Sequence, residues 1–308
     1  MQTDVNTESM PNKPSWRVWW ELTRPHTLTA SFVPVLIGTA LALHYGTLHA
    51  PLFIAMMVAC LLIQAATNMF NEYYDFKRGI DTEHSVGIGG AIVREGVAPK
   101  TVLSIALALY GIAMLLGVYI CGSTSWWLCA IGLAGMAVGY LYTGGPYPIS
   151  ATPFGEIFSG FFMGMLIILI AFYVQTGHVT TLSILVSLPI MLLVGAILLS
   201  NSIRDIEEDT IGGRKTLAIL LGKEKAVKFL AGMFILSYLI VALLVILQLI
   251  SPWLLLVFLS VSLPIKSIKT FTNGSTPKEM VPGMVATAKT NTIFGFLLAL
   301  GLLISYLV

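Results

Sequence analysis

"PLFIAMMVACLLIQAATNMFNEYYDFKRGID", residues 51–81, contains in one stretch both halves of the problem that this chain poses. Its first two thirds are apolar and long enough to cross a bilayer as a helix, which takes about 20 residues. Its last eleven residues place Glu72, Asp75 and Asp81 beside Lys77 and Arg78. The same contrast holds for the whole sequence. Of its 308 residues 56% are hydrophobic and 10% charged, against about 25% charged in soluble domains. With a mean hydropathy of +0.87, the chain reads as an all-α polytopic membrane protein. Residues 1–20 read as a flexible tail and 21–308 as one transmembrane domain, with no basic-then-apolar leader pattern at the front. No basic stripe suggests nucleic acid. Cys60, Cys121 and Cys129 are odd in number, lie in apolar sequence and lack metal-ligand spacing, so they read as core residues.

Nine apolar spans follow from the hydropathy pattern: 27–45, 51–74, 101–121, 125–142, 155–175, 180–200, 228–250, 252–265 and 291–308. Lys and Arg test this count, because they favour the cytoplasmic side. Nine spans put all 17 of them on one side, and dropping the short eighth span would strand the last four outside. The expected orientation has the N-terminus inside and the C-terminus outside. The 15 acidic residues fall on the same face. A cation-coupled transporter would more often hold its ionisable groups near the midplane, so this distribution weighs against that class.

The cytoplasmic ends of two spans carry related clusters. In the first, Asn71 and Asp75 share one helical face, and Gly79 lets Asp81 fold back toward it. In the second, "NSIRDIEEDTIGGRKT" (201–216), Asn201, Asp205 and Asp209 follow an i, i+4, i+8 stripe that ends near Gly212 and Gly213. Each cluster offers an amide and two carboxylates. Such hard oxygen ligands suit Mg²⁺, which is often bound by one or two carboxylates together with substrate phosphates. Lys77, Arg78, Arg94, Arg204, Arg214 and Lys215 stand near enough in sequence to meet phosphate oxygens, and Asn201 is placed with them. The spacing alone reaches a metal-dependent enzyme acting on a membrane-associated phosphate ester.

At these residues the sequence resembles the UbiA superfamily of intramembrane aromatic prenyltransferases. The resemblance rests on "LTRPHTLTASFVPVLIGTALA" (22–42), "NMFNEYYDFKRGID" (68–81), "GIGGAIVREG" (87–96), "YTGGPYPISATPFGEIFSGFFMG" (142–164) and "NSIRDIEEDTIGGRKTLA" (201–218). Within the superfamily the chain looks most like the branch that prenylates 1,4-dihydroxy-2-naphthoate on the way to menaquinone. The resemblance implies nine helices around a central cavity capped by cytoplasmic loops, in a bacterial cell membrane. It also implies a polyprenyl diphosphate donor whose tail lies against membrane lipid, and Mg²⁺ held by Asn71, Asp75, Asp81, Asp205 and Asp209. Asp75, Asp205 and Asp209 are the expected catalytic carboxylates. The family's first motif usually spaces its aspartates by four; here Gly79 takes the second place and the acid comes at Asp81.

Other acceptor rings of the same chemistry (hydroxybenzoate, homogentisate, haem) remain open at this point. No Lys or Arg occurs from 101 to 203, so "YTGGPYPIS" must act through Tyr142, Thr143, Tyr147 and backbone amides. Arg24 reads either as an interfacial anchor or as a contact to the acceptor carboxylate. Asn68 reads as cavity lining or as a helix–helix hydrogen bond. Glu156 reads as helix-start dipole complementation or, by the family pattern, as a neighbour of the acceptor. Glu72 reads as a bystander, and Glu207 and Glu208 as solvated or supporting charges.

Overall fold

The computed structural model describes residues 16–46, 48–80 and 90–308. It is built of helices, with no strand among the described residues. In chain order these are α1 (Trp16–Leu22), α2 (Pro25–Ala42), α3 (Ala50–Lys77), α4 (Pro99–Ser123), α5 (Trp127–Thr143) and α6 (Gly155–Thr176). They continue with α7 (Thr181–Arg204), α8 (Ile206–Ile211), α9 (Leu217–Leu221), α10 (Lys223–Ile246), α11 (Pro252–Asn273) and α12 (Pro277–Leu307). Hydrocarbon offers backbone groups no hydrogen-bond partner, so apolar segments of this length close their bonds internally as helices. Local signals mark the ends. Proline opens α2, α3, α4 and α12, where a missing N–H is harmless. Thr180 and Ser183 form a capping box at the start of α7.

Among the described residues eight helices are long and apolar enough to cross a membrane, and α5, at 17 residues, is the shorter apolar ninth. The nine spans expected from sequence are all present, with corrected edges. The last span begins at Pro277 rather than 291, so Lys278, Glu279 and Lys289 lie inside its helix. The seventh begins at Lys223 rather than 228. The eighth opens as a 3-10 helix, Pro252–Ser260, and continues as an α-helix, Ser262–Asn273, to a length of 22 residues. Helix α1 begins inside the range read as tail, crosses its end at residue 20, and buries Val18 and Leu22 in a cluster with Met69 and Phe70 of α3 and Ala91, Ile92 and Val97 of the following segment.

The largest core cluster joins α2, α6, α7, α10, α11 and α12 through residues such as Ile37, Phe172, Ile190, Leu230, Val257 and Phe294. A second cluster holds α1, α3 and α4 together, and a third ties α3 to α4, α5 and α6 at the end of the bundle remote from the acids. Between these walls runs a cavity of about 870 Å³. One wall depends on two glycines. Residues Gly160–Leu166 of α6 form a π-helical turn, and Gly160 and Gly164 pack on the backbone of α7. A Cβ on Gly160 would lie 2.4 Å from the Met191 carbonyl oxygen, and one on Gly164 would lie 2.7 Å from Met191 Cα.

Backbone on both sides leaves Gly164 no room to adjust. Gly164→Ala is therefore expected to lower stability by about 1–3 kcal/mol, read as a lower midpoint of thermal unfolding in detergent. Gly232→Ala on α10, with nothing within 4 Å of the added carbon, is expected to be neutral or to stabilise by up to about 1 kcal/mol. Equal effects from the two substitutions would contradict the close approach of α6 to α7.

Candidate active site

The inner end of α3 supplies the first set of polar residues. Asn68, Asn71, Glu72 and Asp75 succeed one another at helical spacing, with Asn71 and Asp75 on one face. The Asn71 side-chain oxygen accepts a short bond of 2.5 Å from the Thr143 hydroxyl at the end of α5. The end of α7 and helix α8 supply the second set. Asp205 lies at the junction, and its carbonyl accepts from the Asp209 amide at 2.8 Å, which keeps the two acids one turn apart.

One guanidinium joins the sets. Arg214 donates through Nη2 to Asp75 Oδ1 at 3.0 Å and through Nη1 to Asp209 Oδ1 at 3.0 Å, closing a contact between residues 139 apart in sequence. Arg214 is itself fixed from behind, since its amide donates to the Asp209 carbonyl and the next amide, of Lys215, donates to the Ala151 carbonyl, both at 2.9 Å. Asp205 turns instead to Arg204, whose Nε and Nη2 reach its two oxygens at 2.6 Å each. The remaining Arg204 nitrogen, Nη1, lies 3.0 Å from the Met284 sulfur of α12. Asp209 has its pKa pushed up to about 6; burial is the main cause, the Asp205 and Asp75 charges add to it, and Arg214 opposes it.

The expected residues divide into several groups. Arg24, Asn68, Asn71, Tyr142, Asn201 and Arg204 all line the cavity. Asn201 presents a buried side-chain oxygen that has no hydrogen-bond partner among the described residues. The two amide hydrogens of Asn68 go to the Thr23 carbonyl at 2.7 Å and the Thr27 hydroxyl at 2.9 Å, which gives it a role in tying α3 to α2 as well as a place on the wall. Lys77 and Lys215 are exposed near the joined clusters. Arg78 donates to the Gly145 carbonyl at 2.8 Å and so braces the loop after α5. Arg94 lies on the short turn after Gly90, with its side chain packed against that glycine. The buried carboxyl of Glu156 accepts from the Ser202 hydroxyl at 3.4 Å, and its second oxygen has no partner among the described residues. Tyr147 is exposed, and so are Glu207 and Glu208. Asp81 lies outside the described residues.

Two residues have larger roles than the sequence reading gave them. Glu72 is not a bystander: it is 1% exposed, and its Oε1 accepts the amides of Gly90 at 2.7 Å and Ile92 at 3.2 Å. Its other oxygen lies 3.6 Å from Arg24. Arg24 holds a left-handed backbone conformation (φ 50°) immediately before Pro25, which is strain of the kind found at functional positions. Arg214 was one of six nearby cations in the sequence, and nothing in its local pattern set it apart.

Among the described residues no three His, Cys, Asp or Glu side chains gather closely enough to enclose a metal. The described donors are the Asp75–Asp209 pair, which a single guanidinium can span, with Asn71 one turn along α3 and Asp205, paired to Arg204, one turn from Asp209. Two carboxylates suffice for a cation that takes its other ligands from phosphate and water. The donor set fits Mg²⁺.

The UbiA prenyltransferase family model matches residues 31–279. The chain is 61% identical, over 97% of its length and 96% of the relative's, to 1,4-dihydroxy-2-naphthoate octaprenyltransferase of Bacillus subtilis (strain 168). It is 30% identical to UbiA prenyltransferase domain-containing protein 1 of Danio rerio, over 92% of this chain and 82% of that one. Among solved structures it is similar to a UbiA homologue from Archaeoglobus fulgidus bound to GPP and Mg²⁺. That match has a TM-score of 0.60 and 17% identity, covering 91% of this chain and 99% of the other. It bears on the fold.

Removing Glu72 should release the segment that follows Gly90. Glu72→Ala deprives two backbone N–H groups and the Arg24 side chain of their acceptor, at a cost on the order of 2–4 kcal/mol. The expected readouts are a lower unfolding midpoint and faster proteolysis between Gly90 and Val97. Unchanged cleavage there would refute the anchoring role.

Proposed function

The chain belongs to the UbiA prenyltransferase family, and on that premise we propose that it transfers a polyprenyl group from polyprenyl diphosphate to 1,4-dihydroxy-2-naphthoate. Diphosphate and CO₂ leave, and the product is the demethylated quinol precursor of menaquinone. The observation that carries the reading is Arg214 spanning Asp75 and Asp209 where the two acidic clusters meet, beside the cavity whose wall includes Asn71, Asn201 and Arg204. The 61% identity to the naphthoate enzyme supports the choice of acceptor.

Asn71, Asp75, Asp205 and Asp209 would hold Mg²⁺, with Asp81 of the same motif. When bound, the metal supplies positive charge to the diphosphate oxygens, which is electrostatic catalysis aimed at the leaving group. Lys77, Arg78, Arg94, Asn201, Arg204 and Lys215 are proposed to contact the same diphosphate. Arg214 holds the acids together before substrate arrives, and its guanidinium is then placed to meet phosphate oxygens as the acids take up the metal. The allylic C–O bond breaks with its electron pair going to diphosphate. The electron-rich ring attacks the allylic cation at the carbon bearing the carboxylate, and loss of CO₂ returns that pair to the ring. The apolar cavity wall keeps water from the cation.

The orientation follows from charge. The helix ends that carry the acids also carry the Lys and Arg residues, so the positive-inside rule supports a cytoplasmic site in a bacterial plasma membrane, with the N-terminus inside and the C-terminus outside.

Purified protein given Mg²⁺, a polyprenyl diphosphate and the naphthoate should yield, by mass spectrometry, the prenylated and decarboxylated quinol with one diphosphate released per turnover. Chelation of divalent metal should abolish it. Asp75→Ala and Asp209→Ala should each lower kcat by at least 10²- to 10³-fold while the protein still inserts. Formation of only a prenylated hydroxybenzoate would defeat the acceptor assignment. Near-normal rates for either variant at limiting Mg²⁺ would defeat the metal assignment.

A further inference from the structure

Three cations line the cavity: Arg24, Arg204 and Lys289. Two already face carboxylates. Arg204 is clamped on Asp205 at 2.6 Å, and Arg24 faces Glu72 at 3.6 Å. Lys289 makes no ion pair or hydrogen bond among the described residues, although it sits on the cavity wall about 18 Å in from the first residue of α12. Ionisable side chains in membrane helices are costly to keep, and they commonly mark ligand pathways.

Helical rise places Lys289 at about the depth of Arg24. Helices α2 and α12 run the same way: the Thr292 hydroxyl donates to the Thr29 hydroxyl at 2.9 Å, and farther from the acids the His44 ring meets the Leu302 carbonyl at 3.0 Å. At 1.5 Å per residue, Lys289 lies about 4.5 Å from Thr292 toward the acidic end, and Arg24 lies about 7.5 Å from Thr29 in the same direction. The two cations therefore stand within about one helical turn of a common level, on adjacent walls. Met284, farther toward that end of α12, meets Arg204 and holds this face of the helix against the site.

Lys289 is on α12 and Arg24 immediately precedes α2, whereas the joined acids and their arginine belong to α3, α8 and the loop that follows α8. Arg24 borders that cluster, because its partner Glu72 stands on α3 one turn before Asp75. The same cavity is lined by small hydroxyls, Thr27, Ser31 and Thr292, and by apolar surface. Such a site suits a singly charged anion on a flat apolar body. We propose that Lys289, with Arg24 on the adjacent helix, binds the carboxylate of the aromatic acceptor. This rests on the reading of the acceptor as an aromatic carboxylate. The carboxylate is present in ground state and transition state alike until CO₂ departs, so the interaction belongs to binding and shows in KM.

The test is Lys289→Gln, with Lys289→Arg as the charge-keeping control. The glutamine variant should unfold at the wild-type temperature, raise KM for the naphthoate about tenfold or more, and leave KM for polyprenyl diphosphate unchanged; the arginine variant should recover most of the loss. In fluorescence titrations without donor, 1,4-dihydroxynaphthalene, which lacks the carboxylate, should bind wild type and Lys289→Gln alike, while the naphthoate binds the variant more weakly. An unchanged naphthoate KM, an equal loss for the carboxylate-free ring, or a shift in the donor's KM instead would overturn the proposal. Failure of the wild-type protein to prenylate the naphthoate would strike the acceptor assignment itself, and is seen separately.

Discussion

The contact on which the rest of this site depends is the guanidinium of Arg214 between Asp75 and Asp209. Two partly buried carboxylates that one guanidinium can span repel each other strongly unless a cation lies between them. Burial and the neighbouring acids already push the Asp209 carboxyl up to about 6. Arginine suits this position because it stays charged and presents two parallel donors in a fixed fork. It also links α3 to the α7–α8 corner. A metal taken up by the acids would replace Arg214 as their counter-charge and free the guanidinium for an anion. On the proposed reading, the same residues would neutralise one another without substrate and become available to a metal and a diphosphate.

The bilayer supplies the second constraint. Charges are tolerated where helices leave the hydrocarbon, and the acids of α3 and the α7–α8 corner obey that rule. The cavity wall runs the other way along α3 and α4, through Met56, Cys60 and Cys121, to Leu128 at the start of α5. One end therefore offers polar ligands and the other a groove for a hydrocarbon tail. A substrate with a diphosphate head and a prenyl chain matches that division along its whole length.

Much of this was legible in the sequence, for physical reasons. Spans follow from hydropathy, and the one-sided Lys and Arg distribution fixed their number even where α11 opens as a 3-10 helix. The start of α12 was misplaced because Lys278, Glu279, Pro282 and Lys289 depress local hydropathy. The helix nevertheless continues through them, with its first turn capped by Thr276. The Asn71–Asp75 and Asp205–Asp209 pairings were readable because an i, i+4 spacing maps directly onto a helix face. Glu72 and Arg214 were not readable. Glu72 acts on backbone amides 18 and 20 residues away, and Arg214 acts across 139 residues, so neither role leaves a local pattern.

The distribution of partners also explains how one small volume can handle two anions without confusing them. Arg204 and Arg214 are matched to aspartates within the metal motifs, so any anion they receive must come with compensating positive charge. A diphosphate accompanied by Mg²⁺ meets that condition; a bare carboxylate does not, because it would add a negative charge to an already acidic cluster. The acid that faces Arg24 is Glu72, on α3 one turn before Asp75, and it is engaged by two backbone amides as well as by Arg24. Lys289 adds a positive charge on that side that has no partner among the described residues, so the proposed carboxylate site would take an anion without a metal. Selection between the two anions would then follow from how completely the cations on each side are already paired.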